Sequence, residues 1–463
     1  MLFYEPLFLF VFLPGVFALY LRMRRSPRAR LWILLVASIL FYLWGEPAFV
    51  PVVLASALLD YVLARRVARG ARWALVLGVA ANLGLLVYYK YLGFLAANLA
   101  ALLGLVHAAP PHIALPIGVS FIVFEKITYL VDIARGRSPP AARFSHYLTY
   151  VFFFPKLLAG PIIKYHEIEA QFRAPPPLGE RMVLDGFARF MLGVIKKVLI
   201  ADIVGPASDF IFAIAPDRLG CATAWTGVLL FTLQIYLDFS AYSDMAIGLA
   251  RMAGFDLREN FDRPYVSCSI TEFWRRWHIS LTSWIREYLY IPLGGNRVAP
   301  WRRMLNLWVC FLASGLWHGA AWTYVLWGAY NGLFLVLDRL FLLRLLDRLP
   351  RVAANAVTLL VVMLGWTIFR AGSLTQLVGF VHAMTHPALR GSVRWENSLV
   401  AATLAGIVIS LAPRVPRVDA TVAWLIARRP GRLAIETAGM VLFAAALDKA
   451  ITDPFRPFLY FRF

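Results

Sequence analysis

The sequence predicts an all-α polytopic membrane protein, and three observations carry that prediction. Of 463 residues, 60% are hydrophobic and 16% charged, and mean hydropathy is +0.68; a soluble domain is about 45–50% apolar and about 25% charged. Apolar runs of roughly 17–25 residues, the length that crosses a bilayer as a helix, recur along the whole chain, about ten to twelve times. Arginine clusters fall on alternate connections between those runs, as positive-inside topology requires. Residues 1–463 are therefore read as one integral-membrane domain, with length giving no count of soluble domains.

The early spans follow in order. Residues 1–21 are apolar from Leu2 and lack a basic leader and a small-residue cleavage site, so they read as a retained first span. Arg22, Arg24, Arg25, Arg28 and Arg30 come next. Residues 31–44 lead to Gly45-Glu46-Pro47, and 49–63 return to Arg65, Arg66, Arg69 and Arg72. Residues 73–106 carry Lys90 midway and end in 107–112, which hold no Lys or Arg; 113–133 come back to Arg135, Arg137 and Arg143. This alternation puts the amino terminus outside and the basic connections inside.

The stretch 147–163 breaks the pattern. It is short, contains Pro155 and Gly160-Pro161, and has basic residues on both flanks (Arg143, Lys164, Arg173), which suggests a re-entrant or broken helix. Such backbone persists at membrane depth only where protein or trapped water satisfies it; an ordinary kinked span is the alternative. Residues 182–204 and 221–249 read as spans, the second carrying Asp238 and Asp244. Six positions apart, these lie about 240° around a helix, so they cannot both face one site, and pairing of one with a buried arginine is expected. Residues 251–303 hold nine arginines and read as interfacial helices and loops on the cytoplasmic side. Further spans are expected at 304–317, 321–340, 353–369, 398–411 and 433–450, before an aromatic tail, Pro457-Phe458-Leu459-Tyr460-Phe461-Arg462-Phe463.

Several function classes are disfavoured. A net charge of +20 would suggest nucleic acid in a soluble protein, but here basic loops beside anionic lipid explain it, and no nucleic-acid partner is expected. Cys221, Cys268 and Cys310 share no metal-type spacing, so neither a disulfide nor a metal site is expected. Walker A and GxGxxG loops, an HExxH helix and a GxSxG elbow are missing from the sequence. His278 and His318 remain, each in strongly apolar company: Phe273-Trp274-Arg275-Arg276-Trp277-His278-Ile279 and Gly315-Leu316-Trp317-His318-Gly319. An ionisable group within such segments is a functional-site candidate; the alternative for each is a core histidine hydrogen-bonded to a neighbouring helix.

The run from Ser269 to Arg297, ending Ile291-Pro292-Leu293-Gly294-Gly295-Asn296-Arg297, and the Leu316-Trp317-His318-Gly319 motif resemble the membrane-bound O-acyltransferase (MBOAT) family, within it the bacterial alginate O-acetyltransferase branch. Leu115-Pro116-Ile117-Gly118, Ala159-Gly160-Pro161-Ile162, Tyr236-Leu237-Asp238-Phe239-Ser240 and Glu259-Asn260-Phe261 share the likeness. It is strongest over residues 1–370, with the catalytic motifs in 267–332. The resemblance implies a curved bundle of transmembrane helices, with re-entrant and interfacial helices around a central tunnel. It implies His318 as the catalytic histidine and His278 as the second family position. It further implies a multi-pass protein of the bacterial inner membrane with a periplasmic amino terminus. Such an enzyme draws acetyl groups from a cytoplasmic donor, expected to be acetyl-CoA, and binds no cofactor tightly. It works with a periplasmic serine (SGNH-type) acetyltransferase on an exported polysaccharide such as alginate.

The chemistry points the same way. Acetyl transfer from a thioester to a hydroxyl needs a base near neutral pH, and imidazole supplies one. His318 is expected to be that base or a transient acyl acceptor, and His278 to orient or polarise the substrate. Arg275, Arg276 and Arg297 are candidate contacts for the phosphates of acyl-CoA, since a guanidinium fork suits phosphate oxygens; contact with lipid phosphates is the alternative. Two other readings stay open: a D-alanyl or acyl transferase of a cell-wall polymer in the same family, and a transporter with a midplane ion site. The aromatic tail is either a docking element or an interfacial anchor.

Overall fold

The computed structural model describes residues 1–105, 113–386, 393–412, 416–454 and 456–462, so the whole of the expected outer loop 107–112 lies outside the described residues. Among the described residues the regular secondary structure is helical, without strands. The chain forms two compact units, one of residues 1–190 and 243–258, the other of residues 191–242 and 259–463.

The first unit begins with a π-helical turn, Phe8–Phe12, and continues through α1 (Leu13–Arg22), α2 (Pro27–Gly45), α3 (Val50–Val67), α4 (Arg72–Leu86), a second π turn (Val87–Tyr91) and α5 (Leu92–Leu102). Then come α6 (Val119–Ala134), α7 (Phe144–Phe152), α8 (Tyr165–Arg173) and most of α9 (Glu180–Lys196). Helix α2 starts where Ser26 Oγ accepts the Ala29 N–H at 3.4 Å and Pro27 occupies the first turn, a position that needs no N–H donor. Helix α6 follows Gly118, whose φ of 80° and whose 3.0 Å clearance from Leu157 O for an added Cβ both call for glycine.

The interrupted segment after α7 is buried from Val151 to Tyr165, yet residues 153–164 are not helical. Its backbone is satisfied from neighbouring side chains. Phe154 N–H donates to Ser38 Oγ at 3.0 Å, Ile163 N–H to Glu125 Oε1 at 3.3 Å, and the Tyr150 hydroxyl to Ile163 O at 2.8 Å. Lys156 pairs with Glu125, and Lys126 with Asp60 at 3.3 Å. The broken helix expected from Pro155 and Gly160 is therefore present, with protein supplying the partners that hydrocarbon cannot.

The second unit holds a π turn (Lys197–Ala201), α10 (Asp202–Phe212), α11 (Cys221–Met252) as far as Tyr242, and the short α12 (Ile270–Arg276) and α13 (Ile279–Ile285). These lead to α14 (Pro300–His318), α15 (Trp322–Leu337), α16 (Leu343–Leu346), α17 (Arg351–Arg370), α18 (Leu374–Thr385), α19 (Asn397–Leu411), α20 (Pro416–Ala427) and α21 (Arg429–Thr452). Helices α12 and α13, seven residues each, are too short to span, in keeping with the interfacial reading of 251–303. By length and hydropathy, Pro27–Gly45, Arg72–Leu102 and Arg351–Arg370 qualify as spans among the described residues. Other expected spans are shorter, as at Asn397–Leu411, or carry buried ion pairs, as in α11.

Candidate active site

The site sits in the second unit, at the end of α14. Small residues set its position. A Cβ on Gly315 would lie 2.2 Å from Tyr324 O, and one on Gly328 would lie 2.4 Å from Phe311 O, so α14 and α15 touch backbone to backbone. A Cβ on Gly319 would lie 2.1 Å from the Tyr324 ring, which explains the glycine after His318. The hairpin leaves His318 buried, edge-on to Trp327 at 5.1 Å and to Phe369 at 5.3 Å between ring centroids.

His278 comes to the same place from the loop between α12 and α13. Its φ of 43° is left-handed, a conformation that costs a non-glycine residue free energy and persists only when its surroundings impose it. Asn260 is the brace. Its Oδ1 accepts from His278 Nδ1 at 3.2 Å, Ser280 N–H at 3.2 Å and Ser280 Oγ at 2.8 Å, while its backbone O accepts from Ile279 N–H at 2.9 Å. With Nδ1 donating, Nε2 carries the lone pair, and it is buried with no hydrogen-bond partner among the described residues. Burial pushes the imidazole pKa down to about 3, so the ring is neutral at physiological pH. The two histidine rings lie 6.5 Å apart.

The third participant is one that the sequence reading passed over. The carboxy-terminal tail runs through the second unit, with Phe458 and Leu459 buried and the Tyr460 hydroxyl 3.4 Å from His318 Nδ1. Asp238 secures it. Its Oδ2 accepts the Leu459 N–H at 2.7 Å, and its Oδ1 pairs with Lys197 at 2.7 Å. Lys197 also pairs with Asp202 at 2.7 Å and lies 4.5 Å over the Phe458 ring. Asp244 turns elsewhere and pairs with Arg189 at 2.7 Å in the first unit, as the 240° separation of the two carboxylates predicts. The stretch Phe458–Tyr460 is thus neither a surface anchor nor an exposed docking element. The signal for this in the sequence is Asp238, a buried carboxylate that needs partners.

Ile235, Phe239, Trp277, His318, Trp366, Phe369, Leu459 and Tyr460 enclose a cavity of about 20 Å³, room for about one water molecule. The arrangement places a hydroxyl beside an imidazole in apolar walls, the pairing used for general-base activation of a nucleophile. The three arginines differ in state. Arg276 is bound to Glu272 at 3.0 Å and to Asp262 at 3.3 Å. Arg275 and Arg297 are exposed and have no ion-pair partner among the described residues.

Residues 137–374 match the model of the membrane-bound O-acyltransferase family. The chain is 38% identical to the probable alginate O-acetylase AlgI of Azotobacter vinelandii, with all of both chains covered. It is 40% identical to the Pseudomonas aeruginosa protein of the same description, over 81% of this chain and 73% of that one. It is 35% identical to the peptidoglycan O-acetyltransferase of Helicobacter pylori, over 83% of this chain and 80% of the relative.

Proposed function

The chain belongs to the membrane-bound O-acyltransferase family, and on that premise we propose that it takes an acetyl group from cytoplasmic acetyl-CoA and passes it across the bacterial inner membrane for O-acetylation of an exported polysaccharide. Alginate is the first candidate, supported by full-length similarity to alginate O-acetylases. A cell-wall polymer is the second, supported by the peptidoglycan O-acetyltransferase relative. An acyltransferase of this family leaves no role for the solute-transport reading. The amino terminus is periplasmic in this proposal, and a periplasmic SGNH-type serine acetyltransferase completes the transfer.

The contact between His318 Nδ1 and the Tyr460 hydroxyl carries the mechanistic reading. His318 takes the proton of an attacking hydroxyl, the oxygen adds to the thioester carbonyl, and the coenzyme A thiolate leaves with the proton that His318 returns. Tyr460, whose hydroxyl already lies beside the base, is the first hydroxyl to receive the acetyl group; an acceptor hydroxyl, deprotonated in turn by His318, then attacks that ester, and the tyrosine oxygen leaves with the proton that His318 returns. His278 Nε2, a buried lone pair, orients the reacting hydroxyl by accepting a hydrogen bond from it. Arg275 and Arg297 are the freer contacts for donor phosphates, because Arg276 is held by carboxylates.

The test is reconstitution in vesicles with radiolabelled acetyl-CoA, the partner acetyltransferase and alginate or peptidoglycan fragments. Label should reach polymer with the wild-type enzyme and fail with His318→Ala. Full transfer by His318→Ala would remove the base assignment, and transfer only to peptidoglycan would decide for the second polymer.

A further inference from the structure

A second site lies in the first unit, and its argument is independent of the acetyl-transfer reading. Between the start of α2, the start of α7 and the end of α8 is a cleft of about 610 Å³ lined by Arg25, Arg28, Arg143, Arg173 and His146. No carboxylate lines it. Arg25, Arg28 and Arg143 have no ion-pair partner among the described residues, and Arg173 has only Glu169 at 3.6 Å. His146 is half-buried, and burial together with the neighbouring Arg143 charge lowers its pKa against the opposing pull of Glu169. Three guanidinium groups without an ion-pair partner, beside a fourth paired only with Glu169, repel one another until an anion enters the concavity they line.

The wall is fixed before any ligand arrives. Arg30, buried beneath the cleft, donates to Pro175 O at 3.3 Å and Pro176 O at 2.7 Å, which ties the segment after α8 to α2. A narrower slot shares Arg28, Leu31, Arg143 and His146 with the cleft, adds Ser145 and Thr149, and reaches Trp32 and Leu35. Both of these lie on α2, one of the helices apolar and long enough to cross a membrane. Trp32, in the second turn of α2, is 56% exposed, the placement of an aromatic at a membrane–water boundary. Charge at the mouth and apolar surface running down a spanning helix define an amphiphile, not a soluble nucleotide.

We infer that this cleft binds an anionic phospholipid of the cytoplasmic leaflet, with its phosphate on Arg28 and Arg143 and an acyl chain along the exposed Trp32, Val36 and Leu40 of α2. Four arginines suit a headgroup with two phosphates better than one with a single phosphate. The distinction from ordinary interfacial arginines is stoichiometry: one retained lipid, lost by substitution in the cleft and not by substitution of Arg65 or Arg69 on another basic connection.

The experiment uses the full chain purified in mild detergent, delipidated, then titrated with diphosphatidylglycerol or phosphatidylcholine. Native mass spectrometry gives stoichiometry, and thermal unfolding gives stabilisation. The wild type should bind one diphosphatidylglycerol and gain melting temperature, while phosphatidylcholine does neither. Removing one arginine should weaken binding about fivefold and two about 25-fold, so Arg28→Gln/Arg143→Gln should lose the lipid, while Arg28→Lys/Arg143→Lys keeps part of it. An unliganded melting temperature equal to wild type certifies that the double variant is folded; if it is not, Arg25→Gln, at an exposed position, supplies the single-step loss. Equal retention by folded Gln variants, or equal loss in Arg65→Gln, would overturn the site. Displacement of the lipid by micromolar coenzyme A would overturn its identity and assign the cleft to a soluble phosphate ligand.

Discussion

Asp238→Ala tests whether the tail is part of the active site. In the wild type the Asp238 carboxylate accepts the Leu459 N–H at 2.7 Å in a buried setting, a charge-assisted bond worth about 1.5–3 kcal/mol. Removing it also leaves a buried N–H without an acceptor, at a cost of about 1–3 kcal/mol. These terms overlap, so docking of the tail should weaken by about 2–4 kcal/mol, about 30- to 700-fold in the ratio of docked to undocked. Lys197 keeps Asp202 at 2.7 Å, so the lysine is not stranded and the helices should stay folded. Hydrogen–deuterium exchange reads the effect directly: the peptide containing Leu459 should lose protection by that factor, while peptides from α14 and α15 keep theirs. Acetyl transfer should fall in kcat, with little change in the KM for acetyl-CoA, since the donor is not held by the tail. Asp238→Asn, which keeps an oxygen for the Leu459 N–H but loses the charge, should sit between the two. Unchanged protection at Leu459 would refute the latch. Lost protection with unchanged kcat would refute the tail's part in transfer.

Tyr460→Phe keeps the ring packed against Phe239 at 4.8 Å and removes only the hydroxyl; polymer acetylation should drop about 10²- to 10⁴-fold with the melting temperature held, as measured by label transfer and thermal unfolding. Gly315→Ala puts a methyl 2.2 Å from Tyr324 O, forcing α14 from α15 at a cost of about 1–3 kcal/mol, which a lowered melting temperature and lost activity would register together. Arg275→Gln and Arg297→Gln should each raise the KM for acetyl-CoA about fivefold, the worth of roughly 1 kcal/mol per exposed arginine–phosphate contact. Arg276→Gln should instead lower stability, because it breaks the pairs with Glu272 and Asp262.

Much of this is legible in the sequence, for reasons of pattern. Hydropathy and arginine alternation give the membrane class, since backbone in lipid must be helical. Pro155 and Gly160-Pro161 mark the break after α7 because neither continues a helix at low cost. The two histidines stand out because ionisable groups are costly in apolar sequence. The π turns at Val87–Tyr91, Lys197–Ala201 and Asp338–Leu342 left no such mark, because one extra residue in a helical turn barely alters hydrophobic periodicity. Nor could sequence separate Arg276 from Arg275: adjacent on one short helix, they differ only in that the first meets Glu272 one turn back and Asp262 across the loop.

The tail was hidden for a stronger reason. Aromatic residues near a chain end serve an interfacial anchor and a buried plug equally well by composition, and no local pattern separates the two. What separates them is a partner far away in sequence. Asp238 lies in the apolar helix α11, where an ionised carboxylate is costly unless it is paired and hydrogen-bonded. Lys197 supplies the charge, but one ammonium leaves carboxylate acceptor capacity over, and the Leu459 N–H takes it. That bond fixes the register of the tail, and one residue further on the register places a hydroxyl at His318. A buried acid on a spanning helix therefore carries information about a segment more than two hundred residues away: the polar group that hydrocarbon cannot satisfy must be met by something, and here it is met by the backbone that brings Tyr460 to His318.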